Sequence, residues 1–272
     1  MKVYVISLES DHARKSKLLK NFPKSFADFH FINAVDGRKL SASDYFNYIK
    51  QYLYENNRIL TPSEVGCALS HMLAYEKIIE TNAPALILED DILGDDNKLE
   101  AAKQLLDDIK PYEIILLGGL TQSKETNRVY IYPTAPVKNS DEIVYKIDPK
   151  TITYLGSACC YLIGVGAAKC ILESQKRSLK LADNWYLLTS NQHNITFKFV
   201  QLFQHTLVTQ LTNENSHLEE QRKSLIYKKT YMLFWGSCLE SIRKIKLGIY
   251  SFIKGKILNN GYVSLSKVIV RN

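Results

Sequence analysis

The sequence predicts an α/β protein in which helices flank a mostly parallel, doubly wound, Rossmann-like sheet. Three observations lead there. Apolar, β-branched runs alternate with segments of helical periodicity, the pattern of repeated strand-helix-strand units. The longest helical segment carries a complete start signal at its N-terminus. The 272 residues are 46% hydrophobic, enough to bury one large core.

The elements follow in order. "KVYVISL" at 2–8 reads as a strand, and the polar "ESDHARKSKLLKNF" behind it as a helix. "FHFIN" repeats the plan and ends in a turn at Asp36-Gly37. In "LTPSEVGCALSHMLAYEKIIET", Thr61 caps, Pro62 takes the first helical position and Glu64 completes a capping box, which predicts a helix over 62–81. Val65, Leu69, Met72 and Ile79 make its apolar stripe, and Glu64, Ala68, His71 and Tyr75 make a second row at helical spacing. "ALILEDD" is a third strand, "NKLEAAKQLLDDI" a helix, and "EIILLGG" a fourth strand closed by Gly118-Gly119. Beyond residue 121 the chain turns β-rich, with runs at 128–132, 142–147 and 157–163, then a helix over 166–175.

Charge divides the chain. Residues 222–272 hold eleven Lys and Arg against a single acid, Glu240, so this tail carries +10 while residues 1–221 carry −3. We therefore expect a catalytic domain over 1–221 and a basic, amphipathic helical region over 222–272. The tail interleaves its cations with Tyr231, Phe234, Trp235, Leu239, Ile242, Ile249, Phe252 and Ile253. That pattern suits an anionic membrane surface, with a helix packed on the domain as the alternative. No nucleic-acid recognition motif accompanies the basicity, so nucleic acid is not an expected partner. The apolar run at 3–8 is too short for a secretion signal and no run is long enough to span a bilayer, so a cytosolic protein is expected. Cys67, Cys159, Cys160, Cys170 and Cys238 show no zinc-type spacing and read as reduced, mostly buried residues.

"LILEDDIL" places Glu89, Asp90 and Asp91 at the end of a buried strand. Three adjacent carboxylates repel one another and lose hydration there, unless a cation joins them. Mn²⁺ or Mg²⁺ would suit these oxygens. Side-chain alternation puts Glu89 and Asp91 on one face and Asp90 on the other. Asp91, furthest out, is the better metal ligand, and Glu89 or Asp90 is left to brace the turn; a solvated acidic turn is the structural alternative.

"VISLE" with Arg14, "INAVDG", "LTPSEVGCALSHMLAYEKI", "ALILEDDI" and "GSACCYLIGVGAAKCIL" occur in the order seen in glycosyltransferase family 25, and over 2–226 the chain resembles that family of lipopolysaccharide and lipooligosaccharide biosynthesis enzymes. The resemblance implies a GT-A-like fold and a UDP-sugar donor, UDP-galactose in the family's type members. It also implies a lipooligosaccharide acceptor, inversion at the anomeric carbon, and a metal site at "EDD" with Asp91 as ligand and Glu89 beside it. Ser7, Leu8, Asp36 and Gly37 fall where the first two strands of such folds meet the uridine, and Asp90 joins the donor-binding set. Gln210 and Ser216, in "TQLTNENSHLEEQR", resemble a late segment near the active site. The chain departs from its relatives at "GSACCYLI", where small side chains stand for polar ones.

Inversion requires a single base that takes the acceptor's proton. The candidates are Asp183, Glu64 and His71. Asp183 matches a position where the family commonly has Asp, and neighbouring Trp185 could stack on a sugar; capping the helix "NWYLLTS" is its structural alternative. Glu64 is also explained by its capping box, and His71 follows it on the same helix side. Arg14 could pair with a donor phosphate. Two rival functions are a different metal-dependent nucleotide enzyme and a non-catalytic sugar-nucleotide-binding or membrane scaffold. The glycine-free "SLESDHARK" turn speaks against the first, and the intact "EDD" with Asp183 against the second.

Overall fold

The computed structural model describes residues 2–120, 126–137, 142–191, 194–205, 263–265 and 269. The elements are β1 (Lys2–Ser7), α1 (His12–Asn21), β2 (Phe29–Asn33), α2 (Ala42–Asn56), α3 (Pro62–Thr81), β3 (Ala85–Glu89), β4 (Ile92–Leu93), α4 (Asp96–Asp107), β5 (Glu113–Gly118), β6 (Tyr130–Pro136), β7 (Ile143–Ile147), β8 (Cys160–Ile163), α5 (Val165–Arg177), α6 (Trp185–Thr189), β9 (Thr196–His205) and β10 (Val263–Ser264). They build a 10-stranded sheet in the order β10-β6-β7-β9-β5-β8-β3-β1-β2, with β4 paired to β9.

The α/β class is as expected, and the sheet is mixed. β1 pairs in parallel with β2 and β3, and β5 with β9. β8 lies antiparallel between β3 and β5, and β7 antiparallel between β6 and β9. Strands β1, β2, β3, β5 and β9 therefore point the same way, and their carboxyl ends share one edge. An inserted antiparallel strand is invisible to local periodicity, which records burial and not direction.

Alternation along the strands divides the core. Val3, Val5, Leu86 and Leu88 face Leu18 of α1 and Leu99, Ala102 and Leu106 of α4. Tyr4, Ile6, Ala85 and Ile87 face Ala74, Tyr75 and Ile78 of α3 and Ile171 of α5. The result is a helix-sheet-helix sandwich with apolar side chains on both sheet faces, each fully buried one worth about 1.5–3 kcal/mol.

Helix α3 starts as the sequence predicts: the Thr61 side chain accepts from the Glu64 amide and the Glu64 side chain accepts from the Thr61 amide. Its packed face differs from the expected stripe. Glu64, Ala68, His71 and Tyr75 are buried, whereas Leu69, Met72 and Ile79 are half-buried. Polar residues can occupy this face because His71 and Tyr75 hydrogen-bond across to Tyr161 of β8. The sequence reading passed over α2, although Ser41 caps it and Ile49 and Tyr52 pack it onto α3.

At the far end of the basic region, Val263–Ser264 adds an edge strand to β6 and Leu265 is fully buried in the core. Residues 206–262 lie outside the described residues, and with them Gln210, Ser216, Cys238 and the amphipathic stretch. No helix among the described residues is long and apolar enough to cross a membrane.

Candidate active site

The shared carboxyl edge gathers the ends of β1 at Ser7, β3 at Glu89, β5 at Gly118 and β9 at His205, together with the N-terminus of α3, which runs opposite to β3. Ligands of open α/β sheets bind beyond such an edge. The acidic triplet stands at its centre, and each acid has a separate environment.

Glu89 continues the Ile87 face toward α3. Its Oε1 lies 3.1 Å from His71 Nε2 and 4.0 Å from Cys67 Sγ. His71 is fully buried; its Nδ1 meets the Tyr161 hydroxyl at 2.8 Å, and that hydroxyl meets Tyr75's at 2.8 Å. Burial pushes both phenols up, so both stay protonated. His71 thus reaches the cleft only through Glu89, as a positioning residue and not as the acceptor's base.

Asp90 turns to the opposite face, as alternation requires. Arg14 of α1 donates to it at 2.7 Å and lies 3.4 Å from Asp91. Burial pushes the Asp90 carboxyl up, against the pull of Arg14 and a hydrogen bond from Ser7. Burial also opposes the charge on Arg14, but Asp91 and Asp90 outweigh it and hold the guanidinium above its ordinary value. In this structure Arg14, expected to meet a donor phosphate, braces the acidic turn.

Asp91 extends beyond the strand, 3.3 Å from Nε2 of His205. Burial disfavours the Asp91 carboxylate, yet the His205 hydrogen bond and the charges of His205 and Arg14 hold it below its usual range. Burial likewise works against a charged His205, but Asp91 raises it to about 10. Glu89, Asp91 and His205 each present a ligand atom, all within 4.8 Å of one another. Two carboxylates and an imidazole suit Mn²⁺. His205 escaped the sequence reading, although it ends "TFKFVQLFQH", a run legible as a strand.

The other expected residues have these positions. Leu8 follows β1, its carbonyl accepting from the Ser7 hydroxyl and the Asp11 amide. Asp36 receives two hydrogen bonds from Arg38, at 2.7 and 2.8 Å, which keep its carboxyl below the usual range despite partial burial. Gly37 lies against α3: a Cβ there would come within 1.8 Å of the Pro62 carbonyl oxygen, so close backbone packing accounts for this glycine. Asp183 does not cap α6, because Asn184 does, accepting from the Leu187 amide. Asp183 is half-buried just before α6. Trp185 is fully buried against Tyr161 and Phe197, so stacking on a sugar is excluded; its Nε1 donates to Ser157 O at 3.0 Å. Ser157 holds a left-handed φ of 64° just before Cys159, and a Cβ on Gly119 would lie 2.2 Å from the Cys159 sulfur. Small residues at "GSACC" therefore let this loop lie against the end of β5. Among the described residues the cysteines are thiols, with Cys159 and Cys160 buried and Cys67 and Cys170 half-buried.

Glu64 is 1% exposed, accepting from the Thr61 amide at 2.9 Å and from Arg58 at 2.7 Å. Glu64→Gln is expected to lower stability by about 1–3 kcal/mol, because a buried acceptor is replaced by a group that is partly donor. The folded fraction should keep a near-wild-type rate. A rate loss of about 10²–10⁴ in a normally folded variant would instead make Glu64 the base.

The sequence model of glycosyltransferase family 25 (LPS biosynthesis protein) matches residues 1–186. A glycosyltransferase 25 family member of Aedes aegypti is 29% identical over 201 residues, covering 70% of this chain and 31% of that protein. A putative glycosyltransferase of Haemophilus influenzae is 29% identical over 207 residues, covering 73% of this chain and 67% of that one. The human inactive glycosyltransferase 25 family member 3 is 30% identical over 136 residues, 46% of this chain and 23% of its own. The chain spans under a third of the length of the first curated relatives it matches. Among solved structures, the inositol-1-phosphate CTP transferase of T. maritima aligns at 12% identity and a TM-score of 0.38, over 83% of this chain and 97% of that one. TarS 1-349 of S. aureus aligns at 15% identity and a TM-score of 0.38, over 76% and 60%.

Proposed function

The chain belongs to glycosyltransferase family 25, and from that membership we propose that it moves a hexose, galactose, from a UDP-sugar to a bacterial lipooligosaccharide or lipopolysaccharide acceptor with inversion, assisted by Mn²⁺ or Mg²⁺. The observation that carries the reading is the convergence of Glu89, Asp91 and His205 at the carboxyl edge of the sheet. A divalent cation held by these three, displacing the proton that His205 carries in the metal-free protein, would neutralise charge on the diphosphate leaving group.

The protein's own groups supply the rest. Arg14 bridges Asp90 and Asp91 and fixes the turn. The chain from Tyr75 through Tyr161 and His71 fixes Glu89. In the transfer, a bond forms between the acceptor oxygen and the anomeric carbon as the bond from that carbon to the diphosphate breaks. The electron pair leaves with UDP, and the acceptor's proton passes to the base. Asp183 is the base in this reading, because it matches a position where the family commonly has Asp, whereas Glu64 serves the α3 cap and Arg58. The basic stretch after residue 222 would hold the enzyme at the anionic inner face of the cytoplasmic membrane, where its charge favours binding.

The test is UDP release by the purified chain over a panel of UDP-sugars, with lipooligosaccharide acceptor, in Mn²⁺ or in chelator. Cation-dependent release from UDP-galactose is expected. UDP binding without release from any donor would favour a binding protein; several relatives are named as inactive family members.

A further inference from the structure

Glu89 takes part in a second constellation that the proposed reaction does not use. Cys67, His71 and Glu89 each present a ligand atom, all within 4.8 Å of one another. Cys67 and His71 are four residues apart on α3, one turn along a single face, so their relative position is fixed by a rigid element. Three features of the group point to a cation.

The first is the donor set. A thiolate, an imidazole and a carboxylate are the ligands zinc takes, at about 2.3, 2.0–2.1 and 2.0–2.2 Å. Tetrahedral geometry at those lengths separates nitrogen from oxygen by about 3.4 Å and sulfur from oxygen by about 3.6 Å. The observed separations are 3.1 Å for His71 to Glu89 and 4.0 Å for Cys67 to Glu89. Small side-chain adjustments close both differences. The second is the support behind the histidine. Nε2 donates to Glu89 in the metal-free protein; with an ion bound, Nδ1 can donate to the Tyr161 hydroxyl instead, which turns the Nε2 lone pair to the ion. Zinc-binding histidines are oriented by such a partner on the other ring nitrogen. The third is access. His71 is buried, but Cys67 and Glu89 are half-buried at the sheet edge, so an ion and its fourth ligand, a water, can enter from the cleft.

We propose that Cys67, His71 and Glu89 form a second, softer cation site that takes Zn²⁺, and that its occupation inhibits the enzyme by drawing Glu89 away from Asp91 and His205. Binding releases the Cys67 thiol proton to solvent, and the resulting thiolate donates its electron pair to the metal, with no redox change. The inhibitory half rests on the glycosyltransferase reading. The binding half does not.

The experiment separates them. Co²⁺ serves as the spectroscopic stand-in and is titrated into the full chain without nucleotide. A sulfur-to-cobalt charge-transfer band is expected, displaced by Zn²⁺, absent in Cys67→Ser and in Cys67→Ala, and retained in a Cys159→Ser/Cys160→Ser variant. Circular dichroism of each variant keeps a folding failure from passing as a lost site, and two Cys67 replacements guard against one misfolding. In the second arm, Zn²⁺ is added to Mn²⁺-supported UDP release. Its inhibitory concentration should rise at least about tenfold in Cys67→Ser, the loss usual when a metal site is weakened. No thiolate band, or one that survives both Cys67 variants, would overturn the site. A band in a chain that releases no UDP would uphold the site while the glycosyltransferase reading fails. Equal Zn²⁺ inhibition of wild type and Cys67→Ser would overturn the inhibitory coupling.

Discussion

Replacing Asp91 by Asn is expected to leave the fold in place and lower cation-dependent UDP release by at least about 100-fold, the loss seen when one major electrostatic contact to a developing anion is removed. The reason is local. Asp91 stands outside β3, and its carboxylate pairs with Arg14 and His205. The amide keeps the shape and removes the charge. Added Mn²⁺ should protect wild type against heating and protect Asp91→Asn far less, since an ion that binds only the folded state stabilises it by mass action. Without metal, the same variant reads the His205 pair. His205 rises from 6.5 to about 10 on folding, so its contribution is complete below pH 6.5 and is lost as pH climbs through about 10. The metal-free wild type's stability advantage over Asp91→Asn should therefore be widest near pH 6 and gone by the upper end of that window. Equal melting across the range would show that the pair adds nothing to the metal-free protein. Unchanged UDP release would remove Asp91 from the site.

How much of this was legible in the sequence depends on how far apart the cooperating residues lie. The α3 cap is written within four residues, Thr61 to Glu64, and both of its hydrogen bonds form. The opposed directions of Glu89 and Asp90 follow from strand alternation alone, and Glu89 indeed meets α3 while Asp90 meets α1. The packed face of α3 could not be read that way. His71 and Tyr75 are buried because Tyr161 completes their hydrogen bonds, and Tyr161 reaches them through an antiparallel strand whose direction leaves no local mark. His205 poses the same difficulty at longer range. β9 pairs in parallel with β5 and, at its end, antiparallel with β4, where His205 lies opposite Ile92; these long-range pairings bring its last residue to the acidic turn. Trp185 shows the opposite error, in which a plausible local role, a platform for sugar beside Asp183, gives way to tertiary burial.

That burial sets the second large effect. Trp185 is 0% exposed, its ring 5.1 Å from Tyr161 and 5.7 Å from Phe197. Trp185→Ala is expected to cost about 3–5 kcal/mol, the usual range for emptying a buried aromatic site. For a chain of this size that lowers the melting temperature by about 2–4 °C per kcal/mol. Trp185→Phe keeps much of the apolar volume but loses the 3.0 Å hydrogen bond to the Ser157 carbonyl, at about 1 kcal/mol. Its more telling consequence concerns the cleft. Ser157 is held in a left-handed conformation beside Gly119, and a strained backbone of this kind persists only while its surroundings hold it. Freed from the indole, the 155–159 loop can relax, and Asp183, two residues before the anchor, loses its fixed position. Trp185→Phe should thus reduce the rate of transfer to acceptor more than it weakens UDP binding, because the donor's expected contacts lie at the ends of β1, β2 and β3. A variant that melts like wild type and changes only sugar affinity would restore Trp185 to the binding surface and refute its role as the buried anchor of the 155–159 loop and Asp183.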